Sequence, residues 1–356
     1  MPFLKNTWYV AANASELDNG ALVGRTICNE QVVMFRTSKG EVSAIQDRCP
    51  HRFVPLSMGK RIDDTIQCAY HGLRFDGTGA CVEAPNDDDG QKARACVTAY
   101  PAVERHKLIW LWLGEAELAD PAKIPVFEFL DNKEGKYAVV QGLSHIKGNN
   151  QLLADNLLDL SHIHYLHPHI HQGSSFSDFT NEVRREGDTV WSMLWRHDYF
   201  VSEAQRAMYG FQADSGVEGR GHSRWDVPGV LLVQTAFWEK GKSLEDGGVD
   251  TPNAHLLTPE TEFTTHYFWA SARTFEIHNE AMSQGTATMM KMVFETQDGP
   301  MVEAQQRQMG ESTDFLQQRP LILKADAAGV LARRIIDKKI REEKGGLIAV
   351  TQATGS

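Results

Sequence analysis

The stretch 47-DRCPHRFVPLSMGK-60 sets Cys49 and His51 one residue apart across Pro50. A second, 67-QCAYHG-72, sets Cys68 and His71 two residues apart. Two thiols and two imidazoles in paired short spacings have the composition of a ligand set, because sulfur and imidazole suit zinc, iron–sulfur clusters and copper. The order is C-x-H, sixteen residues, then C-x2-H. A zinc finger of Cys2His2 type pairs Cys with Cys and His with His. Here each loop contributes one of each.

That mixed order fits a Rieske-type [2Fe–2S] centre, in which two cysteines hold one iron and two histidines the other. Two loops approaching a cluster from opposite sides would supply Cys49, His51, Cys68 and His71. Pro50 would stiffen the first loop, and Gly59 and Gly72 would let backbone come close.

On either side of these stretches the chain has strand character: 31-QVVMFRT-37 and 42-VSAIQD-47 read as strands joined by the Gly-containing turn 38-SKGE-41. The stretch 73-LRFDGTGACVEA-84 repeats the scheme, with Asp76-Gly77 supplying residues that tolerate positive φ. The apolar run 107-KLIWLWLG-114 is too short for a secure helix, and its Ile and Trp content favours a buried strand. The first third is therefore expected to be a small antiparallel β domain, residues 1–118. Pro121 and Pro125 interrupt 116-AELADPAKIPVFEF-129, which reads as a connector placed at 119–135.

The remaining residues, 136–356, read as a second domain of mixed α and β. The stretch 149-NNQLLADNLLDLSHIHYLH-167 has the apolar spacing of an amphipathic helix, and Pro168 discourages its continuation. The segments 230-VLLVQTAFW-238 and 266-HYFWASARTF-275 have strand composition, whereas 280-EAMSQGTATMMKMVFETQ-297 and 325-ADAAGVLARRIIDKKIREE-343 are helical. The end, 345-GGLIAVTQATGS-356, reads as frayed.

The chain of 356 residues has 36 basic and 47 acidic side chains, a net charge of −11. That balance argues against nucleic acid as a partner, because phosphate binding needs a basic surface. No apolar run of membrane-spanning length appears, and 1-MPFLKNTWYVAANASEL-17 does not have the form of a signal peptide. Five cysteines do not make a secreted disulfide scaffold. Cys28, Cys81 and Cys96 read as ordinary thiols in a reducing cytoplasm.

Five histidines stand at 162, 164, 167, 169 and 171. Two histidines and a carboxylate with open positions form the facial triad of mononuclear non-haem iron. Spacing alone does not select the pair. His167 and His171 are i, i+4 but flank Pro168; His162 and His167 are i, i+5 and need a widened or ending turn. Asp159 precedes His162 by three residues and shares its face. Surface or capping roles are expected for His169 and His171.

The chain resembles the oxygenase components of Rieske non-haem iron oxygenases, particularly the vanillate O-demethylase and dicamba O-demethylase branch. The resemblance rests on 6-NTWYVAA-12, 49-CPHRFVPLS-57, 68-CAYHGLRFDGTG-79, 119-ADPAKIP-125, 155-DNLLDLSHIHYLH-167, 258-TPETEFTTHYFWASARTF-275 and 325-ADAAGVLARRII-336. It implies an α+β chain: an N-terminal antiparallel β Rieske [2Fe–2S] domain, then a mixed α/β catalytic domain whose antiparallel sheet is flanked by helices, helix-grip-like. It assigns Cys49, His51, Cys68 and His71 to the cluster and His162 and His167 to Fe(II). In 295-ETQDGPMVEAQQRQ-308 it makes Asp298 the third ligand, with Glu295 as the rival. Asn156 would lie near the iron. Asp159 would link an iron histidine to a cluster histidine of a neighbouring subunit, accepting a hydrogen bond from each. The resemblance also implies a homotrimer, because the two centres of one chain are too far apart in this family and a ring brings neighbours' centres together.

The implied chemistry takes electrons from a flavin/iron–sulfur reductase that oxidises NAD(P)H. One atom of O2 enters a substrate C–H bond and the other leaves as water. A methoxy group so hydroxylated gives a hemiacetal, which collapses to a phenol and formaldehyde. The expected substrate is an aromatic acid. Hydroxylation of a ring or methyl group is the alternative within the enzyme class, and an electron carrier with a partner-binding domain the alternative outside it. His255 matches a position that meets the substrate carboxylate, and Trp269, with Phe268, is expected to line an aromatic pocket.

Overall fold

The computed structural model describes residues 3–85, 90, 94–167 and 179–354. His169 and His171 lie outside them. The chain divides into two compact units, Phe3–Val126 and Phe127–Ser356. The segment 119–135, read as a connector, is thus shared between the units.

The first unit is built of short strands: β1 (Trp8–Asn13), β2 (Val23–Ile27), β3 (Glu30–Arg36), β4 (Val42–Gln46), β5 (Lys60–Ile62), β6 (Thr65–Gln67), β7 (Arg74–Asp76), β8 (Cys81–Glu83), β9 (Ala99–Tyr100), β10 (Ala102–Arg105) and β11 (Leu108–Trp112). They form antiparallel sheets in the orders β1-β11-β10, β2-β3-β4-β9 and β5-β6-β7-β8. All five residues of β11 are buried, as its apolar run requires. The stretch Cys49–Val54 leads toward β5, and Cys68–Leu73 joins β6 to β7. In the β7–β8 turn the positive φ falls on Gly79, not on Asp76-Gly77. Asp76 instead turns its carboxylate onto the backbone N–H groups of Thr78 and Ala80, and a Cβ at Gly79 would stand 2.0 Å from the Val97 carbonyl oxygen.

The second unit contains a seven-stranded antiparallel sheet. Its strands are β12 (Ala138–Ile146), β13 (Phe179–Glu186), β14 (Thr189–Arg196), β15 (Val217–Asp226), β16 (Val230–Glu239), β17 (Val249–Thr261) and β18 (Thr264–Arg273), in the order β12-β18-β17-β16-β15-β14-β13. From β13 to β18 each strand pairs with the next, and β12 closes against β18. Helices are α1 (Glu128–Asp131), α2 (Asn150–Leu158), α3 (Ile163–Leu166), α4 (Glu203–Tyr209), α5 (Glu280–Val293), α6 (Gly299–Met309) and α7 (Ala327–Thr354). Helix α2 packs on β15, β16 and β17, and α5 on β12 and β18.

The expected single helix through His167 is broken. Asp159 ends α2 with extended backbone, and its carboxylate caps a fresh 3-10 turn by accepting the Ser161 N–H at 2.8 Å. Its neighbour Asp155 is paired across to α7, where Arg333 reaches it with Nε at 2.8 Å and Nη2 at 2.6 Å. Gly329 permits that close approach, since a Cβ there would lie 2.7 Å from Asp155 Oδ1. Helix α7 also runs through the end expected to fray, as far as Thr354.

Candidate metal centres and the adjoining cavity

In the first unit, the two Cys–His loops prove to be the same turn. Cys49 N–H donates to the Val54 carbonyl (2.9 Å) and Phe53 N–H returns to the Cys49 carbonyl (2.9 Å). Cys68 N–H donates to the Leu73 carbonyl (2.8 Å) and Gly72 N–H returns to the Cys68 carbonyl (3.2 Å). The fourth residue after each cysteine has a left-handed backbone, Phe53 at φ 63° and Gly72 at φ 77°. Gly59 allows close approach as expected: a Cβ there would stand 2.0 Å from the Gln67 carbonyl oxygen.

Both thiols are buried and adjacent, while the imidazoles of His51 and His71 meet edge to face with ring centroids 4.4 Å apart. Burial pushes the Cys49 thiol up to about 11, and the Cys68 thiol beside it adds to the rise. The backbone N–H groups of His51 and Arg52 pull the other way, so amide donors already face the sulfur. A buried thiol pair ionises when a cation receives it. Two paired thiols with two adjacent imidazoles therefore fit a [2Fe–2S] cluster of mixed ligation.

In the second unit, His162, His167 and Asp298 converge, with one ligand atom from each all within 4.8 Å of one another. Among the described residues no other group of three or more His, Cys, Asp or Glu meets that separation. His162 Nε2 lies 3.5 Å and His167 Nε2 3.1 Å from Asp298 Oδ1. The broken helix makes this possible, because the ending turn brings together two histidines that an intact helix would separate.

The other ring nitrogens are committed. His162 Nδ1 donates to the Asp159 backbone carbonyl at 2.6 Å, and His167 Nδ1 to Gln297 Oε1 at 2.6 Å. A backbone carbonyl only accepts, so the His162 proton sits on Nδ1 and its Nε2 lone pair faces the carboxylate. Nε2 of both rings thus faces one carboxylate, an arrangement that a proton or a metal ion among them holds together. Burial alone would lower His167, yet Asp298 holds it above its ordinary value, which again marks a site that attracts a cation. The set fits a non-haem iron bound by two histidines and a carboxylate. The expected bond from His162 to the Asp159 carboxylate is replaced by one that His162 donates to the Asp159 backbone carbonyl, the carboxylate being occupied in capping Ser161.

The rival acids are parted by a π-helix, Phe294–Asp298, between α5 and α6. Its widened turn lets Glu295 accept from Ser144 Oγ at 3.0 Å while Asp298 turns to the histidines. Asn156 Nδ2 donates to Asp298 Oδ1 at 3.3 Å. Gln297, which sequence reading missed, had one signal: its place beside Asp298.

The triad opens on a cavity of about 570 Å3 between α5, α2 and one face of the sheet. His255 lines it, buried, with burial holding its imidazole down to about 4 and hence neutral. Its Nδ1 lies 2.7 Å from the Tyr267 hydroxyl, and its ring meets Phe294 edge to face. Trp269 does not line the cavity. Gly142 on β12 leaves room for its ring, where a Cβ would come within 2.3 Å of Cζ2; the aromatic at the triad end of the wall is Phe294. Phe268 is fully buried and also lies outside the lining.

Residues 7–101 match the Rieske [2Fe-2S] domain, and residues 146–342 match the vanillate O-demethylase oxygenase C-terminal domain. The oxygenase component of chloroacetanilide N-alkylformylase from Rhizorhabdus wittichii is 36% identical, with 96% of this chain and 97% of that protein covered. The oxygenase component of dicamba O-demethylase from Stenotrophomonas maltophilia is 36% identical over 95% of this chain and 98% of its own length. The crystal structure of dicamba monooxygenase bound to 3,6-dichlorosalicylic acid superposes with a TM-score of 0.88 at 34% identity, covering 96% of this chain and 99% of that one. No helix among the described residues is long and apolar enough to cross a membrane. With both domains matched and relatives similar along nearly their whole length, the chain belongs to the Rieske non-haem iron oxygenases of the vanillate and dicamba O-demethylase branch, an oxygenase component that carries a [2Fe–2S] cluster and a mononuclear iron and is served by a separate reductase.

Proposed function

We propose that this chain O-demethylates an aromatic acid of the methoxybenzoate, vanillate-like class. The observation that carries this reading is the metal triad on the wall of a cavity that also presents a neutral, buried imidazole, His255. Cys49, His51, Cys68 and His71 would hold the cluster, and His162, His167 and Asp298 the iron. Iron held there would supply, with electrons from the reductase, the O2 chemistry by which one oxygen atom enters a substrate C–H bond and the other leaves as water.

The protein's residues supply the rest. The Asp159 carbonyl and Gln297 fix the two imidazoles, and Asn156 steadies the carboxylate. The Tyr267 phenol, pushed well above its ordinary value by burial, keeps its proton. Donating that proton to His255 Nδ1 would leave Nε2–H to donate to a substrate carboxylate. Phe294, Val293 and Val233 give the cavity apolar wall, which would exclude water from a substrate held there.

The functional units proposed are residues 1–118 for the cluster, 119–135 as connector and 136–356 for catalysis. We also infer a cytoplasmic homotrimer in which the Asp159 carboxylate meets a cluster histidine of the next subunit. A relative of 31% identity, the iron-sulfur subunit of a toluene-4-sulfonate monooxygenase system from Comamonas testosteroni, makes methyl-group hydroxylation of an aromatic sulfonate the second reading. Turnover with a reductase on methoxylated, methylated and sulfonated benzoates separates the two: formaldehyde from methoxybenzoates supports the first, and benzylic alcohols alone sink it. Three irons per chain are expected; two would leave only an electron carrier.

A further inference from the structure

We propose that the end of the cavity remote from the triad is an anion subsite built on Arg273, which lets the site accept, besides single-ring acids anchored at His255, a two-ring aromatic acid whose charge sits far from the oxidised carbon. This deepens, and rests on, the reading of His162, His167 and Asp298 as the reacting end.

Arg273 lines the cavity from the last position of β18 and is 5% exposed. Its Nη2 donates to the carbonyls of Glu276 (2.9 Å) and Asn279 (3.0 Å) and to Ser283 Oγ (3.0 Å). Those bonds fix the guanidinium without neutralising it. Nε is enclosed with no acceptor, and Nη1 has none among the described residues. Glu276 and Glu280 act on the charge electrostatically, but both are exposed, so water weakens their field. A buried cation is costly without a counter-charge.

No acid among the described lining residues stands at the Arg273 end of the cavity. Asp298, in the triad, is its one acid among the described lining residues, against two guanidinium groups, Arg273 and Arg196. The rest of the lining is largely apolar, with Phe237, Met282 and Met290 among it. Such a lining selects a flat apolar body carrying an anion.

Distance sets the size. Trp269 is the cross-strand partner of His255, and Arg273 follows it by four residues, about 13 Å along a strand. A single-ring methoxybenzoate that places its methyl at the triad reaches His255 but not Arg273. Two linked rings can span that distance, and a cavity of about 570 Å3 has room for them.

The test is anaerobic calorimetry of the holoenzyme with 4′-methoxybiphenyl-4-carboxylate and with the corresponding carboxamide. The acid should bind at least about tenfold more tightly than the amide, as a desolvated charge pair requires. Arg273→Gln should bring that ratio near one, and Arg273→Lys should restore part of it. An acid that binds no better than the amide to the wild type overturns the proposal without any variant. So does a ratio that Arg273→Gln leaves unmoved. Formaldehyde assays keep the two readings apart. If 4-methoxybenzoate is demethylated while the biphenyl acid is neither bound nor consumed, the subsite falls and the demethylase stands. If the acid preference holds and follows Arg273 but no methoxyarene releases formaldehyde, the subsite stands and the demethylase falls.

Discussion

The cluster loops close within six residues of their own cysteines, whereas the iron triad is joined by bonds that span 130 to 142 residues of chain. In the first region the sequence of each loop, with its left-handed fourth residue, nearly suffices to place two donors. In the second, α2, the π-helix and β12 must all be packed before Asp298 meets the histidines. Each centre is therefore vulnerable in a different place: the cluster to substitutions inside its loops, the iron to substitutions far from it.

The harshest break is Cys68→Ala. It should leave a colourless protein lacking the electron paramagnetic resonance signal of mixed His/Cys ligation, with iron falling from three to one per chain. Wild-type protein that takes up stoichiometric zinc and stays colourless after anaerobic reconstitution with iron and sulfide would refute the cluster assignment itself. His162→Ala makes the complementary break. Turnover should disappear while the visible spectrum and reducibility of the cluster persist, with two irons left per chain; a bleached cluster would show that the two regions are not separable.

Distant support is tested by Arg333→Met, which strands Asp155 in a largely buried position and should cost about 3 kcal/mol of stability. Urea unfolding followed by tryptophan fluorescence reads the loss. Asp155→Leu combined with Arg333→Met should recover most of it, and no recovery would mean the pair is not the cause. Gln297→Leu is gentler: the His167 imidazole loses its acceptor, and mononuclear iron affinity should fall about tenfold or more with the cluster unchanged. Metal titration measures this, and wild-type affinity would demote Gln297 to packing.

The smallest structural change is Asp159→Asn. An amide oxygen can still cap Ser161, and the backbone carbonyl still accepts from His162. Iron and trimer should survive while cluster reoxidation in a single turnover with substrate and O2 slows about tenfold or more. Reoxidation at the wild-type rate would leave Asp159 only its capping role.

These contrasts also explain what could be read from the chain beforehand. The cluster ligands stand in two short stretches, so spacing and donor chemistry exposed them. The paired strands were legible from alternation and turns, and β11 from a run that is buried throughout. The choice among the histidines needed resemblance, because a helix end is decided by a capping contact, here Asp159 with Ser161, which composition does not announce. Asp298 and Glu295 could not be separated by periodicity, since a π turn obeys a different one. Trp269 has a pocket-like side chain, but its position opposite Gly142 turned it into packing. Arg273, Gln297 and Tyr267 drew no attention because each acts through partners distant in sequence or hidden in the fold.

The π turn at Phe294–Asp298 has a consequence for how such chains can change. It acts as a phase slip between α5 and α6: one surplus residue rotates everything downstream by roughly a quarter turn or more of the helix. Deleting one residue between Glu295 and Asp298 would relax the slip into ordinary helix, keep both flanking segments helical, and swing the carboxylate away from His162 and His167. A chain so shortened would still fold and still carry its cluster. Residue-by-residue comparison would show every chemical group present, yet the iron would have lost its acid to a change of length rather than of letter.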